Sequence, residues 1–223
     1  MTPAEMEKRI VRYGDLQPCK TAFIDAHTPG SNRKENFTII GGGVSESPDQ
    51  HVHIRETPGF KIGAAGQPPG CRNSLHSHRT AEVFFVLKGR WRFFWGRWGT
   101  AGEVFAEEGD IINIPTGIFR AFENVGTDYG MIMAVLGGND AGGGVIWAPQ
   151  VIEDAGWLRR QIDDLTRAKL RLTAQLPGLA HLGRELDALL QALRRLGEAS
   201  RLQVGVAQAE VRHLVGRIGA RLN

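Results

Sequence analysis

The amino-acid sequence predicts an all-β sandwich or barrel that carries a helical extension at its C-terminal end. Three observations predict it. Short apolar runs separated by glycine turns recur at roughly eight- to twelve-residue spacing between positions 37 and 136, the rhythm of paired strands. From Trp157 onward the hydrophobic period changes from two to seven, the rhythm of packing helices. With 42% hydrophobic residues, the 223-residue chain can bury a substantial core, and no apolar run approaches membrane-spanning length.

The chain opens on a helix-start pattern. Thr2 can cap, Pro3 occupies the first turn and Glu5 reaches back. Met6, Ile10 and Tyr13 then share a face, which predicts a short helix packed on something. Strands are expected over 37–40, 51–54, 60–63, the stretch around 76–78, 83–87, 90–95, 103–105, 110–114, 118–122 and 131–136. The triple glycine 41–43 reads as a bend and not a phosphate loop, because no Gly-Lys-Ser/Thr follows. His51 and His53 alternate onto one face and are expected at the barrel mouth or in water.

Positions 90–95 interleave basic and aromatic residues, as base-stacking surfaces do. In a chain of paired strands, Trp91, Phe93 and Trp95 instead form one buried face, so neither nucleic acid nor a membrane is an expected partner. The glycine-rich stretch 137–144 is either a lid or a plain connection. Leucine heptads follow, interrupted by Pro177-Gly178. They predict two or three helices folded on the barrel or paired with another copy. The expected units are an N-terminal helix and arm (1–36), a barrel (37–150) and a helical extension (157–223).

The net charge of +3 hides an asymmetry. Residues 1–156 hold 15 Lys/Arg against 18 Asp/Glu, whereas residues 157–223 hold 12 against 6. Arginines on the outer face of packing helices account for the basic end. Two cysteines, Cys19 and Cys71, are too few for a disulfide scaffold, and no secretory signal is visible, so a reduced, cytoplasmic setting is expected. Cys71 reads as a small buried residue.

The chemistry concentrates between Gly70 and Gly89. His76 and His78 are two apart, so on an extended strand both side chains leave one face. Arg79-Thr80-Ala81 can turn the chain and bring Glu82 opposite the two imidazoles. Two neutral imidazoles and one carboxylate are what a divalent first-row metal takes from one side.

The spacing Gly70-x5-His76-x-His78-x3-Glu82-x6-Gly89 resembles the first motif of the cupin superfamily at every fixed position. The stretch from Gly109 through Pro115 and Gly117 to Asn124 resembles the second, with one departure: Arg120 stands where the family usually places its last histidine ligand. The resemblance covers about residues 37–136 and does not reach 157–223. It implies a jelly-roll barrel, a double-stranded β-helix, with the site inside it. Carried over position by position, His76, His78 and Glu82 resemble ligands of a divalent transition metal such as Fe, Mn, Ni or Zn. Arg120 cannot be one, because a guanidinium stays protonated and offers no lone pair.

Three arrangements stay open. A metal sits on the three remaining groups while Arg120 clamps an anionic substrate; or no metal binds and Arg120 pairs with Glu82; or His51 or His53 replaces the missing ligand. The first implies a metal-dependent cupin enzyme on a small anionic or aromatic molecule, most simply a dioxygenase-type oxidoreductase. Glu82 and Arg120 are then the catalytic candidates, Arg120 holds substrate, and Phe84, Val86 and Phe122 form the apolar wall. The alternative is a non-catalytic, degenerate cupin that binds a small anionic ligand, with the helical tail for assembly. By the same resemblance a homo-oligomer, a dimer at its simplest, is expected.

Overall fold

The computed structural model describes residues 1–138 and 144–156, together with the single helical positions 163, 166, 167, 187 and 191. Helix α1 (Pro3–Glu7) starts as its sequence dictates. The Thr2 hydroxyl accepts from the Glu5 amide at 3.2 Å, and the Glu5 carboxylate accepts from the Thr2 amide at 2.6 Å. Among the described residues, however, the expected apolar face finds nothing to pack on. Met6, Ile10 and Tyr13 are all exposed, and the helix stops after five residues, too few to persist without tertiary support.

Eleven strands follow among the described residues: β1 (Glu35–Ile40), β2 (Val52–Ile54), β3 (Phe60–Gln67), β4 (Arg72–Ser77), β5 (Glu82–Lys88), β6 (Trp91–Trp95), β7 (Gly102–Ala106), β8 (Ile111–Ile114), β9 (Arg120–Asn124), β10 (Gly130–Gly137) and β11 (Ile146–Trp147). They form two sheets, ordered β2-β1-β3-β10-β5-β8 and β11-β4-β9-β6-β7. Every expected strand is present. β11 is additional, and lies just beyond the glycine-rich stretch 137–144 that the sequence marked as a lid or connection.

Strand register explains where the barrel is solid and where it is hollow. Alternate residues of β3, β10, β5 and β8 point inward and line up in rows across the sheet. The first row is Lys61, Leu136, Glu82 and Ile114; the second is Gly63, Ala134, Phe84 and Ile112; the third is Ala65, Ile132 and Val86. From the facing sheet, Trp91, Phe93 and Phe122 fill the space over the third row and form the core with Ile132 and Val86. Trp95, expected on that buried face, is only half-buried. Over the second row, Gly63 and Ala134 offer almost no side chain, so the barrel stays open there.

Both outer faces are covered in part. Phe94, Leu75 and Ala121 pack against Ala148 and Val151, the latter in a helical stretch over 149–156. Phe37, Ala64 and Met131 are covered by Leu16 of the N-terminal arm and by Tyr129. The predicted helical extension, 157–223, lies almost wholly outside the described residues. Among those described, no helix is long and apolar enough to cross a membrane.

Candidate functional site

The hollow in the barrel is a cavity of about 80 Å³, room for roughly five to eight waters. His76, on β4, and His78, one residue beyond that strand, enter it from one sheet. Glu82 and Phe84 of β5 enter from the other, with Phe122 behind them. The turn that carries the chain from β4 in one sheet to β5 in the other supplies this convergence. It is pinned by the Gly117 amide donating to the His78 carbonyl and the Gly137 amide donating to the Ala81 carbonyl, both at 3.0 Å. Gly89, which ends the motif, has a φ of +92°, and a Cβ there would come within 3.1 Å of the Gly130 backbone. Asn124 is a structural member. Its amide nitrogen donates to the carbonyls of Gln67 and Asp128, both at 2.8 Å.

Each imidazole has one nitrogen committed. His76 Nδ1 donates to the Ser74 carbonyl at 2.7 Å, and His78 Nδ1 donates to the Gly144 carbonyl at 3.0 Å. Both rings therefore leave Nε2 as an acceptor. Burial pushes His76 well below its usual pKa of 6.5, helped by the charges of Arg120 and Lys34. Burial also lowers His78, with Arg120 adding to the shift and Glu82 opposing it. The two rings meet edge to face with centroids 5.2 Å apart.

Arg120 departs from the role of substrate clamp. It pairs with His76 in the register of β4 and β9, and its guanidinium reaches across to hydrogen-bond Glu82 through Nη2 while Nη1 donates to the His76 carbonyl at 2.9 Å. The residue is 2% exposed. It does not line the cavity; it sits behind Glu82, beside an apolar groove that Phe93, Ile114 and Ile118 help to form. Val86, expected in the wall, lies one row deeper in the core.

These residues do not fit a three-ligand metal centre as they stand. The imidazoles are oriented for one, with Nδ1 tied to carbonyls and Nε2 free. The third donor is engaged by a permanent cation, and among the described residues no three His, Cys, Asp or Glu gather closely enough to hold an ion. His53 does not replace it. Its Nδ1 donates to the Thr38 carbonyl at 2.7 Å and its Nε2 accepts from the Gln17 amide at 3.1 Å. His51 is exposed, packed against the His53 ring.

The sequence reading missed four residues here. Trp147 of β11 lines the cavity, its ring 5.5 Å from that of His76. Asp25 and Lys34, in the arm before β1, form a fully buried ion pair, and Asp25 accepts from the Ser74 amide at 3.0 Å. That pair holds Ser74, the residue whose carbonyl orients His76. Lys61 lines the cavity from β3. Lys61 carried only an ambiguous signal: it shares strand parity with Gly63 and Ala65, yet apolar residues of β3 occupy both parities. Cys71 is fully buried, and burial pushes its thiol up to about 11, in keeping with an inert core residue.

A family model described as a cupin domain matches residues 66–136, the span that holds both imidazoles, Glu82 and Arg120. Residues 66–136 of this chain are a cupin domain. Among solved structures, this cupin is similar to the polyketide cyclase RemF from Streptomyces resistomycificus, with 17% identity, a TM-score of 0.46 and coverage of 61% of this chain and 82% of that one. It is similar to a chain from "Crystal structures of DMSP lyases RdDddP and RnDddQII", with 19% identity, a TM-score of 0.46 and coverage of 59% of this chain. It spans 62% of the length of that lyase chain. A cupin-family protein with a double-stranded β-helix fold from Methanocaldococcus jannaschii aligns with 17% identity and a TM-score of 0.34, over 38% of this chain and 74% of the other. At these identities no activity passes from them to this cupin. None of the curated proteins matches it.

Proposed function

We propose that this cupin binds a small organic acid inside its barrel, and that the Arg120–Glu82 ion pair occupies the place where the motif resemblance would put a metal. The observation that carries the reading is the guanidinium on Glu82, which removes the third metal donor while leaving a polar, partly open cavity beside it. Phe84, Phe122 and Leu136 supply an apolar wall for the body of the ligand, and the two imidazoles supply acceptors at Nε2. Neutral imidazoles in that position can also take a proton from a bound hydroxyl or carbon acid.

A metal-dependent oxygenase remains the second reading, favoured by the two imidazoles whose Nδ1 atoms are already tied to carbonyls. One experiment separates the two. Full-length protein is treated with chelator and titrated by calorimetry with a panel of short carboxylic acids, before and after addition of Fe, Mn, Ni or Zn. Acid binding that ignores the metal supports the proposal. Binding that appears only with metal overturns it and favours the oxygenase.

A further inference from the structure

The first row of the barrel wall places a lysine where apolar residues would close the cavity. Lys61 is 94% buried by its 6% exposure, its side chain lines the cavity, and among the described residues no carboxylate or hydrogen-bond partner meets its ammonium. Its stem is held by the glycine bend. Gly41 adopts a φ of +75°, and a Cβ there would meet Lys61 Cγ at 3.0 Å and Thr57 Cγ2 at 2.5 Å. Only a glycine lets this loop lie so close. A cation buried without a counter-charge is costly unless a ligand supplies one.

Two further cavity atoms lack partners among the described residues. Asn36 Nδ2, which enters from β1 at the row of Ala65, is a buried donor with nothing to donate to. Gln50 Oε1 is a buried acceptor with nothing to accept. The polar complement of the cavity is thus divided. Lys61 and Asn36 offer donors, while Gln50 and the two imidazole Nε2 atoms offer acceptors.

We infer that Lys61 and Asn36 hold the carboxylate of the ligand, and that the ligand is a short hydroxycarboxylic acid whose hydroxyl donates to an imidazole or to Gln50. This rests on the reading of the barrel as an organic-acid site and names the class of acid. A carboxylate can accept from an ammonium and from an amide donor, and a charge-assisted bond to the ammonium is the strongest single contact available in the cavity. The hydroxyl answers the acceptors, which a simple fatty acid would leave unpaired.

The test is calorimetric titration of the full chain with butyrate and with 2-, 3- and 4-hydroxybutyrate, in the wild type, Lys61→Met and Asn36→Asp. The wild type is expected to bind at least one hydroxybutyrate more tightly than butyrate. Lys61→Met should weaken that acid by roughly tenfold or more through loss of the charged contact. Asn36→Asp, which sets a carboxylate where the ligand's own would lie, should weaken it by a similar factor. Circular dichroism confirms folding of each variant, and where one fails to fold the other decides.

A folded variant that binds as the wild type does overturns the anchor but leaves the barrel an acid-binding site. Equal affinity for butyrate and all three hydroxy acids overturns the hydroxyl contact. A wild type that takes up none of the four overturns the anchor and the reading beneath it together.

Discussion

Lys61 and Glu82 stand in one cross-strand row of the barrel wall, two strands apart, with Leu136 between them. Strand spacing puts their backbones about 10 Å apart. Two opposite charges thus face one cavity, yet they are not equivalent. Glu82 is answered from behind by Arg120, and Lys61 meets no carboxylate among the described residues. The barrel holds its carboxylate and presents its ammonium.

Arg120→His should bring back metal affinity. The substitution replaces a permanent cation by a neutral lone-pair donor and releases Glu82, completing a set of three imidazoles and one carboxylate. Zinc or manganese binding, measured by calorimetry and by metal analysis of purified protein, should strengthen by at least about tenfold over the wild type. A wild type that already copurifies with one metal ion per chain would contradict the ion-pair reading.

The ion pair itself predicts an asymmetric mutant cycle. Glu82→Gln leaves a buried guanidinium unpaired and should cost about 3–5 kcal/mol in urea denaturation. Replacing both partners, as Glu82→Leu with Arg120→Met, should cost far less, because neither charge then needs a partner. Additive losses in the double variant would show that the two side chains do not act as a pair.

Acid should destabilise the protein through its histidines. The folded values of His76 and His78 lie below the ordinary 6.5 because burial disfavours the charged rings. As pH falls through 6.5 the unfolded chain takes up protons that the folded chain refuses. This contribution is therefore complete above pH 6.5 and is lost as pH falls toward the folded values. Urea midpoints measured across this range should decline, and His76→Gln should flatten the decline. An unchanged slope in that variant would count against a neutral, buried His76.

Lys34→Met should unfold the arm before it touches the barrel. Both members of the Lys34–Asp25 pair are fully buried, and Asp25 also holds the Ser74 amide. Stranding that carboxylate should cost about 3–5 kcal/mol. Exchange of the Ser74 amide with solvent should quicken more than exchange in β6, which the arm does not touch.

Much of this architecture was legible in the sequence. The imidazoles and Glu82 flank one short turn between the two sheets, so short spacing alone brings them together. The glycine turns mark the strands, which pair as their rhythm suggests. What was not legible depends on closure of the barrel. Whether Arg120 faced the cavity or Glu82 is decided by how β9 crosses to β5, a relationship between residues 38 positions apart. Lys61 hid in a strand whose apolar residues occupy both parities, so alternation could not say which face was inside. Asp25 and Lys34 hid because a buried charge looks like a surface one until its partner is known. Met6, Ile10 and Tyr13 misled in the other direction: a shared face does not guarantee a surface to receive it.

The guanidinium on Glu82 has one more consequence. A positive charge that belongs to the polypeptide cannot be stripped by chelators, starved by scarce iron or displaced by copper. The barrel carries this buried cation as soon as its strands close, with no supply of ions to wait for.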